Sequence, residues 1–132
     1  MFKKFIVLFL FFFSPPTLMA QYAEHVAPEF IKTIQFIGST QQSQLPIIRL
    51  GEKISLSFDA LNGDEADYYY KITHHDFDWK LSDLSKGEYM DGFDDVRLYE
   101  YSNSFNTLRS YSHYTLNIPN RDTRKLTKSG NY

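Results

Sequence analysis

Cysteine is absent from all 132 residues. Neither a disulfide framework nor a thiolate metal site can therefore form. With no Cys behind the apolar leader, lipid anchoring there is excluded as well. Long hydrophobic runs are also missing. Phe5 to Phe13 is an unbroken apolar stretch of nine residues, against the roughly 20 that a membrane-spanning helix needs. Basic charge is scarce. Once residues 1–20 and their Lys3 and Lys4 are removed, 12 basic side chains face 16 acidic ones, a net of −4. That balance excludes the basic footprint of a nucleic-acid binder. There is no H-E-x-x-H pair, no G-x-S-x-G elbow and no Gly-rich phosphate loop. Asp and Glu are plentiful, but nothing singles out a catalytic pair. The expectation is a protein that is not an enzyme, with no cofactor, no metal and no small-molecule substrate.

What is present begins with an export signal. Lys3 and Lys4 form a positive start, and the apolar run follows. Ser14-Pro15-Pro16 breaks the helix, and Leu18-Met19-Ala20 places a small residue before a cut at Gln21. This is the three-part layout of a secretory signal. Residues 1–20 are read as a cleaved signal-peptide helix, residues 21–28 as a leader ending at Pro28, and residues 29–132 as one β-domain. The 112 residues behind the cut suit a single core. Without disulfides that core depends on packing, and the 12 Phe and 10 Tyr of the chain supply large rings for it.

The pattern along the domain has a period of two. Phe30, Ile34 and Phe36 share one side of a strand. Pro46 opens a short strand, Ile47 to Leu50, and Gly51-Glu52 turns the chain. Ile54, Leu56 and Phe58 point inward from the next strand, with Ser55 and Ser57 outward. Asn62-Gly63-Asp64 is a turn signal. Tyr68 to His75 reads as a further strand, with Tyr68, Tyr70, Ile72 and His74 on one face. Ser82 to Lys86 suits one helical turn. Val96 to Tyr101 and Tyr111 to Ile118 read as the remaining strands. The class expected is an antiparallel β-sandwich of immunoglobulin-like type. At the end, Leu126 to Tyr132 has two readings, an ordinary loop tail or a tyrosine corner, in which the Tyr132 hydroxyl reaches back to upstream backbone. If it is a corner, the sandwich is truncated and lacks its last strands.

Several clusters invite chemistry. His74, His75, Asp76 and Asp78 suggest a metal, but adjacent strand residues point to opposite faces, so the two His cannot easily share an ion. Glu88, Asp91, Asp94 and Asp95 suggest calcium, but lack the order of an EF-hand loop. Residues 59–100 carry a net −8 and residues 101–132 a net +4, an asymmetry that can orient a partner. The aromatics Trp79, Tyr89, Phe93, Tyr99, Tyr101, Phe105, Tyr111 and Tyr114 exceed the needs of one core. Tyr and Trp are favoured at protein interfaces.

An ordered set of motifs resembles a known family. It runs Pro46-Ile47-Ile48-Arg49-Leu50-Gly51, Tyr69-Tyr70, His74 to Asp76, Trp79, and Glu88-Tyr89-Met90-Asp91-Gly92-Phe93. It continues with Tyr101, Ser104-Phe105-Asn106-Thr107, Tyr111-Ser112-His113-Tyr114 and Pro119-Asn120. Together they resemble the N-terminal domain of the type IX secretion system plug protein of Bacteroidetes, over about residues 29–132. The chain departs from that pattern at His75, where Cys is common, and is much shorter than the several hundred residues of full plug proteins. The resemblance implies a periplasmic protein that closes the periplasmic end of the outer-membrane translocon barrel, its partner. Partner-binding residues expected on that basis are Tyr89, Asp91, Phe93, Tyr101, Phe105 and Asn106, with Trp79 and Tyr132 structural. The rival expectations are a carbohydrate-binding sandwich using Trp79, and an accessory β-module of a secreted hydrolase.

Overall fold

The structure, a computed structural model, describes residues 26–39, 46–63 and 65–132. The expected signal peptide, and residues 21–25 of the leader, lie outside the described residues. The elements run β1 (Ile31–Ile37), β2 (Ile54–Ala60), β3 (Tyr69–Tyr70), α1 (Lys86–Tyr89), β4 (Met90–Gly92), β5 (Val96–Arg97), β6 (Glu100–Asn103), β7 (Ser112–Ile118) and β8 (Thr123–Leu126). A four-stranded sheet has the order β1-β2-β7-β6. Two smaller sheets pair β3 with β5 and β4 with β8. Every pairing is antiparallel, so the all-β antiparallel class read from the sequence is the one adopted.

The alternation in β2 and β7 builds the large sheet. Ile54, Leu56, Phe58 and Ala60 stand opposite Ile118, Leu116, Tyr114 and Ser112. The other face pairs Ser55, Ser57 and Asp59 with Asn117, Thr115 and His113, and Asp59 meets His113 at 2.6 Å. One face is thus apolar and the other polar, as an antiparallel sheet covered on one side requires. Tyr68, Tyr70 and Leu98 cover the apolar face and complete a first core with Ala60 and Tyr114. Tyr114 is its centre. Its ring stacks on Phe58 at 5.3 Å and on Tyr101 at 5.4 Å, and meets the edge of Tyr68 at 4.7 Å. Its hydroxyl donates to the Ala66 carbonyl at 3.0 Å and accepts the Ala66 N–H at 3.1 Å. A second core joins Ile72, Tyr89 and Met90 with Leu84, Ile118 and Leu126. Tyr70 packs against both.

Five expectations need correction. Ile47 to Leu50 is not a strand: both end residues are exposed, and Arg49 and Glu52 close a turn through bonds of 2.8 and 3.0 Å. Phe30, Ile34 and Phe36 do not share one side of an unbroken strand, and all three are exposed. A bulge between Lys32 and Gln35, with Thr33 at φ 54°, shifts the register, and β1 lies at the sheet edge. Val96 to Tyr101 is two strands in two sheets, β5 and β6. The strand expected at Tyr68 to His75 pairs only at Tyr69–Tyr70, yet Ile72 and His74 remain buried as the alternation requires. The helical turn sits slightly later than expected, at α1. The Ser85 N–H and hydroxyl both reach Glu88 Oε2, at 2.8 and 2.7 Å, and fix its start.

The last residues close over the second core. His74 Nε2 lies 3.1 Å from the Ser129 carbonyl, which can only accept, so that nitrogen carries the proton. Nδ1 is hydrogen-bonded to the Ser82 hydroxyl at 2.9 Å. Tyr132 donates its hydroxyl to the Lys128 carbonyl at 2.7 Å, the backward contact of a tyrosine corner. Burial pushes the Tyr132 phenol above its ordinary pKa.

Candidate partner-binding surface

The expected partner-binding residues fall in two groups. Tyr89, Asp91 and Phe93 follow one another through α1 and β4. Tyr101, Phe105 and Asn106 belong to β6 and the hairpin loop after it. The first group flanks the two-stranded β4–β8 sheet, and the second lies on the edge strand of the four-stranded sheet and the loop beyond it.

In the first group Tyr89 must be corrected. It is 4% exposed, packs in the second core, and donates its hydroxyl to the Ile72 carbonyl at 3.2 Å. A ring so placed cannot touch a partner, so it supports the surface above it. Asp91 is half-buried and paired with Arg124 across the β4–β8 ladder at 2.7 Å. Phe93 is 74% exposed, and its backbone is pinned at both ends: its N–H donates to the Asp122 carbonyl at 2.8 Å, and its carbonyl accepts the Thr123 hydroxyl at 2.6 Å.

In the second group Tyr101 is only partly open. Its ring stacks on Tyr114 and its hydroxyl donates to Glu65 at 2.9 Å. Asn103 donates to the other Glu65 oxygen at 2.5 Å. The Asn103 and Tyr101 bonds hold the Glu65 carboxyl below its ordinary pKa, and the same Glu65 contact raises the Tyr101 phenol. Beyond β6 the chain makes a tight loop. Ser104 N–H donates to the Tyr111 carbonyl at 2.8 Å, and Tyr111 N–H to Ser104 Oγ at 2.9 Å. The Thr107 hydroxyl donates to the Arg109 carbonyl at 2.9 Å. Asn106 takes the left-handed conformation, φ 56°, which Asn tolerates better than most residues. Phe105, at 93% exposure, and the fully exposed Leu108 stand out from this braced loop. Preorganised apolar side chains at a loop tip suit an anchoring contact, because little order is lost on binding.

Trp79 is half-exposed in a hairpin turn, with its ring 6.2 Å from that of His75, and is not a core residue. The exposed apolar residues that escaped the sequence reading include Leu108, and Phe77 and Leu81 beside Trp79. A large apolar residue between turn-forming neighbours, as in Asp76-Phe77-Asp78, was the available signal. Among the described residues no group of three or more His, Asp or Glu side chains is placed to hold a metal ion. Nor is any described helix long and apolar enough to cross a membrane.

The family described as type 9 secretion system plug protein 1st domain matches residues 31–132. The crystal structure of a hypothetical protein from Parabacteroides merdae ATCC 43184 is similar, with a TM-score of 0.73 and 36% identity. The similarity covers 80% of this chain and 27% of that one, so the chain spans about a quarter of its relative's length. None of the functionally curated proteins matches. A match across β1 to β8 is a match to the whole described sheet system, and it follows that the chain belongs to the family of type 9 secretion system plug protein first domains.

Proposed function

We propose that this domain is a non-catalytic, periplasmic part of a plug that closes the periplasmic end of the type IX outer-membrane translocon. A cleaved signal peptide at residues 1–20 delivers it there. The family match over residues 31–132 carries the reading. The geometry supports a steric role. Two cores joined through Tyr70 make a stiff body, and the braced loop after β6 offers Phe105 and Leu108 as anchors. Burying both would yield roughly 3–6 kcal/mol before costs. Losing free motion on association costs about 4–15 kcal/mol. These anchors therefore contribute to a seal but cannot alone make it permanent, which suits a plug that must leave when cargo passes.

The test is co-purification of the full-length plug with the translocon barrel, comparing wild type with Phe105→Ser/Leu108→Ser and with a plug lacking this domain. We expect at least tenfold weaker recovery of the barrel for the double variant. If removing the plug left type IX export intact and the pore equally closed to small molecules, the reading would fail.

A further inference from the structure

We propose that the cleft where the chain passes from β5 to β6 binds a peptide through a carboxylate. One segment serves two sheets here. Val96 and Arg97 pair with β3, whereas Glu100 to Asn103 pair with β7 as far as Thr115. Strand β7 runs on to Ile118 without that neighbour. A cleft of about 470 Å³ opens at this fork, bounded by the turn at Asn120 to Asp122. Small-ligand sites usually measure roughly 300–1,000 Å³. Tyr70, Leu98 and Leu116 give the cleft an apolar part. Its sides are tied together by hydrogen bonds. Asn117 Nδ2 donates to Glu100 Oε2 at 2.8 Å, and Asn120 Nδ2 donates to the Tyr70 hydroxyl at 3.2 Å. A cleft held open in this way loses little order when a ligand enters.

The ligand's chemistry follows from the polar groups that lack partners. Arg97 Nε is sealed from water and has no hydrogen-bond partner among the described residues. A buried donor left unpaired is rare in a native fold and marks a place for an acceptor. The rest of this guanidinium is held lightly. Its Nη2 meets Asp67, itself 54% exposed, at 2.7 Å, and its Cζ stands 5.9 Å from the centre of the Tyr99 ring. Exposed pairs of this kind contribute little, so the group is free to turn toward a better acceptor. Arg121 is exposed on the same lining and makes no ion pair among the described residues. Asn120 adds a third donor. Its Oδ1 accepts the N–H groups of Asp122 and Thr123 at 2.9 and 2.7 Å, which fixes Nδ2 as the donor to Tyr70 with a second N–H left over. Two guanidinium forks and an amide call for a carboxylate, whose paired oxygens match the fork. The lining also carries two acids. Glu100 is engaged by Asn117, and Asp122 remains as an acceptor that disfavours a bare anion. A peptide presents amide N–H donors beside its carboxylate and answers both signs. The lining includes neither Phe105 nor Leu108, and the inference does not rest on closure of the barrel.

The test titrates trialanine into the full-length protein by isothermal calorimetry. Trialanine amide, an acetylated and amidated Ala-Glu-Ala peptide, and maltotriose serve as comparison probes. The variants are Arg97→Gln, Arg121→Gln and the control Phe105→Ser/Leu108→Ser, each checked for its fold by circular dichroism. Arg121 is exposed, so its variant stands in if Arg97→Gln loses the fold. Expected is saturable binding of trialanine, at least tenfold weaker for its amide and in either folded Arg variant, and unchanged in the control. Binding of the blocked Ala-Glu-Ala peptide in place of trialanine, with the same loss in an Arg variant, upholds the site and assigns the carboxylate to an acidic side chain. The proposal is overturned if wild type binds neither carboxylate peptide, or binds trialanine and its amide equally. Wild-type affinity in both folded Arg variants overturns it as well. Binding of maltotriose alone does so too, and assigns the cleft to a neutral glycan. No barrel takes part, so a negative result leaves the plugging role untouched, and loss of barrel binding leaves this proposal untouched.

Discussion

Asp94 replaces a missing strand partner, and its removal should show this directly. Ile72 is a core residue just past β3, where ladder pairing has stopped. Its N–H is taken by Asp94 Oδ2 at 2.8 Å, and Oδ1 holds the Lys86 ammonium. The Asp94 side chain is only 3% exposed. Burial pushes its carboxyl pKa up, but Lys86 and the Ile72 N–H together outweigh that and hold it below the ordinary value. Asp94→Ala leaves the Ile72 N–H buried and unpartnered, at a cost of about 2–3 kcal/mol. Lys86 is half-exposed and turns to water, adding little. Asp94→Asn keeps an acceptor for Ile72 and loses only the charge, so it should cost less than half as much. Equilibrium urea unfolding at neutral pH resolves these differences, since whole domains are stable by only about 5–15 kcal/mol. The pH dependence has a fixed sign. A carboxyl whose folded pKa is depressed contributes stability above its unfolded value of about 3.9 and loses it as pH falls through the lower folded value. Wild type should therefore lose stability below about pH 4 more steeply than Asp94→Asn. If the Ala and Asn variants unfolded at the same urea concentration, the hydrogen bond to Ile72 would not be what Asp94 supplies.

Two further substitutions probe the frame, and one probes the anchors. Gly92 has φ 116°, and a Cβ there would run into the Asp122 carbonyl and stand 3.0 Å from the Arg124 nitrogen. Gly92→Ala should cost at least about 2 kcal/mol in urea unfolding and disturb the β4–β8 ladder. Tyr114→Phe keeps the ring stack but loses both bonds to Ala66. A loss of about 1–3 kcal/mol is expected, with faster amide exchange at Ala66 as its local signature. Phe105→Ser/Leu108→Ser should leave thermal unfolding within about 0.5 kcal/mol of wild type, because neither side chain is buried in the fold.

The parts of the fold legible in the sequence are those where one rule decides. Strands β2 and β7 alternate without interruption, and one sheet face is buried, so parity alone fixes which side chains point inward. The same parity places Ile72 and His74 inside, although no ladder runs past Tyr70. It fails at β1 because a bulge reverses parity partway along, and nothing in Lys32-Thr33-Ile34 announces one. Strand β8 was missed for a different reason. Thr123-Arg124-Lys125-Leu126 has little strand character of its own. It is held by what it meets: Thr123 is fully buried under Tyr70 and Phe93, and Arg124 reaches Asp91.

The candidate surface was harder to read because an aromatic residue means opposite things in the two settings that favour it. Tyr89 and Phe93 are four residues apart in one motif, yet one fills a core and the other stands in water. The difference lies in what folds back over them. Helical turn α1 tucks Tyr89 under Ile72 and Met90, partners seventeen residues upstream and next in sequence. At Phe93 the backbone is instead fastened outward-facing to Asp122 and Thr123. Local composition cannot distinguish these, since each outcome is set by a segment distant in the chain. What remains readable locally is a large apolar side chain where the turn itself leaves no room to bury it. Phe77 and Leu108 meet that description, as does Phe105, the one of the three that motif order had already pointed to. A residue exposed because its loop is closed too tightly to fold it inward is a firmer sign of a contact surface than aromatic content, because the exposure is built by backbone bonds and persists until a partner covers it.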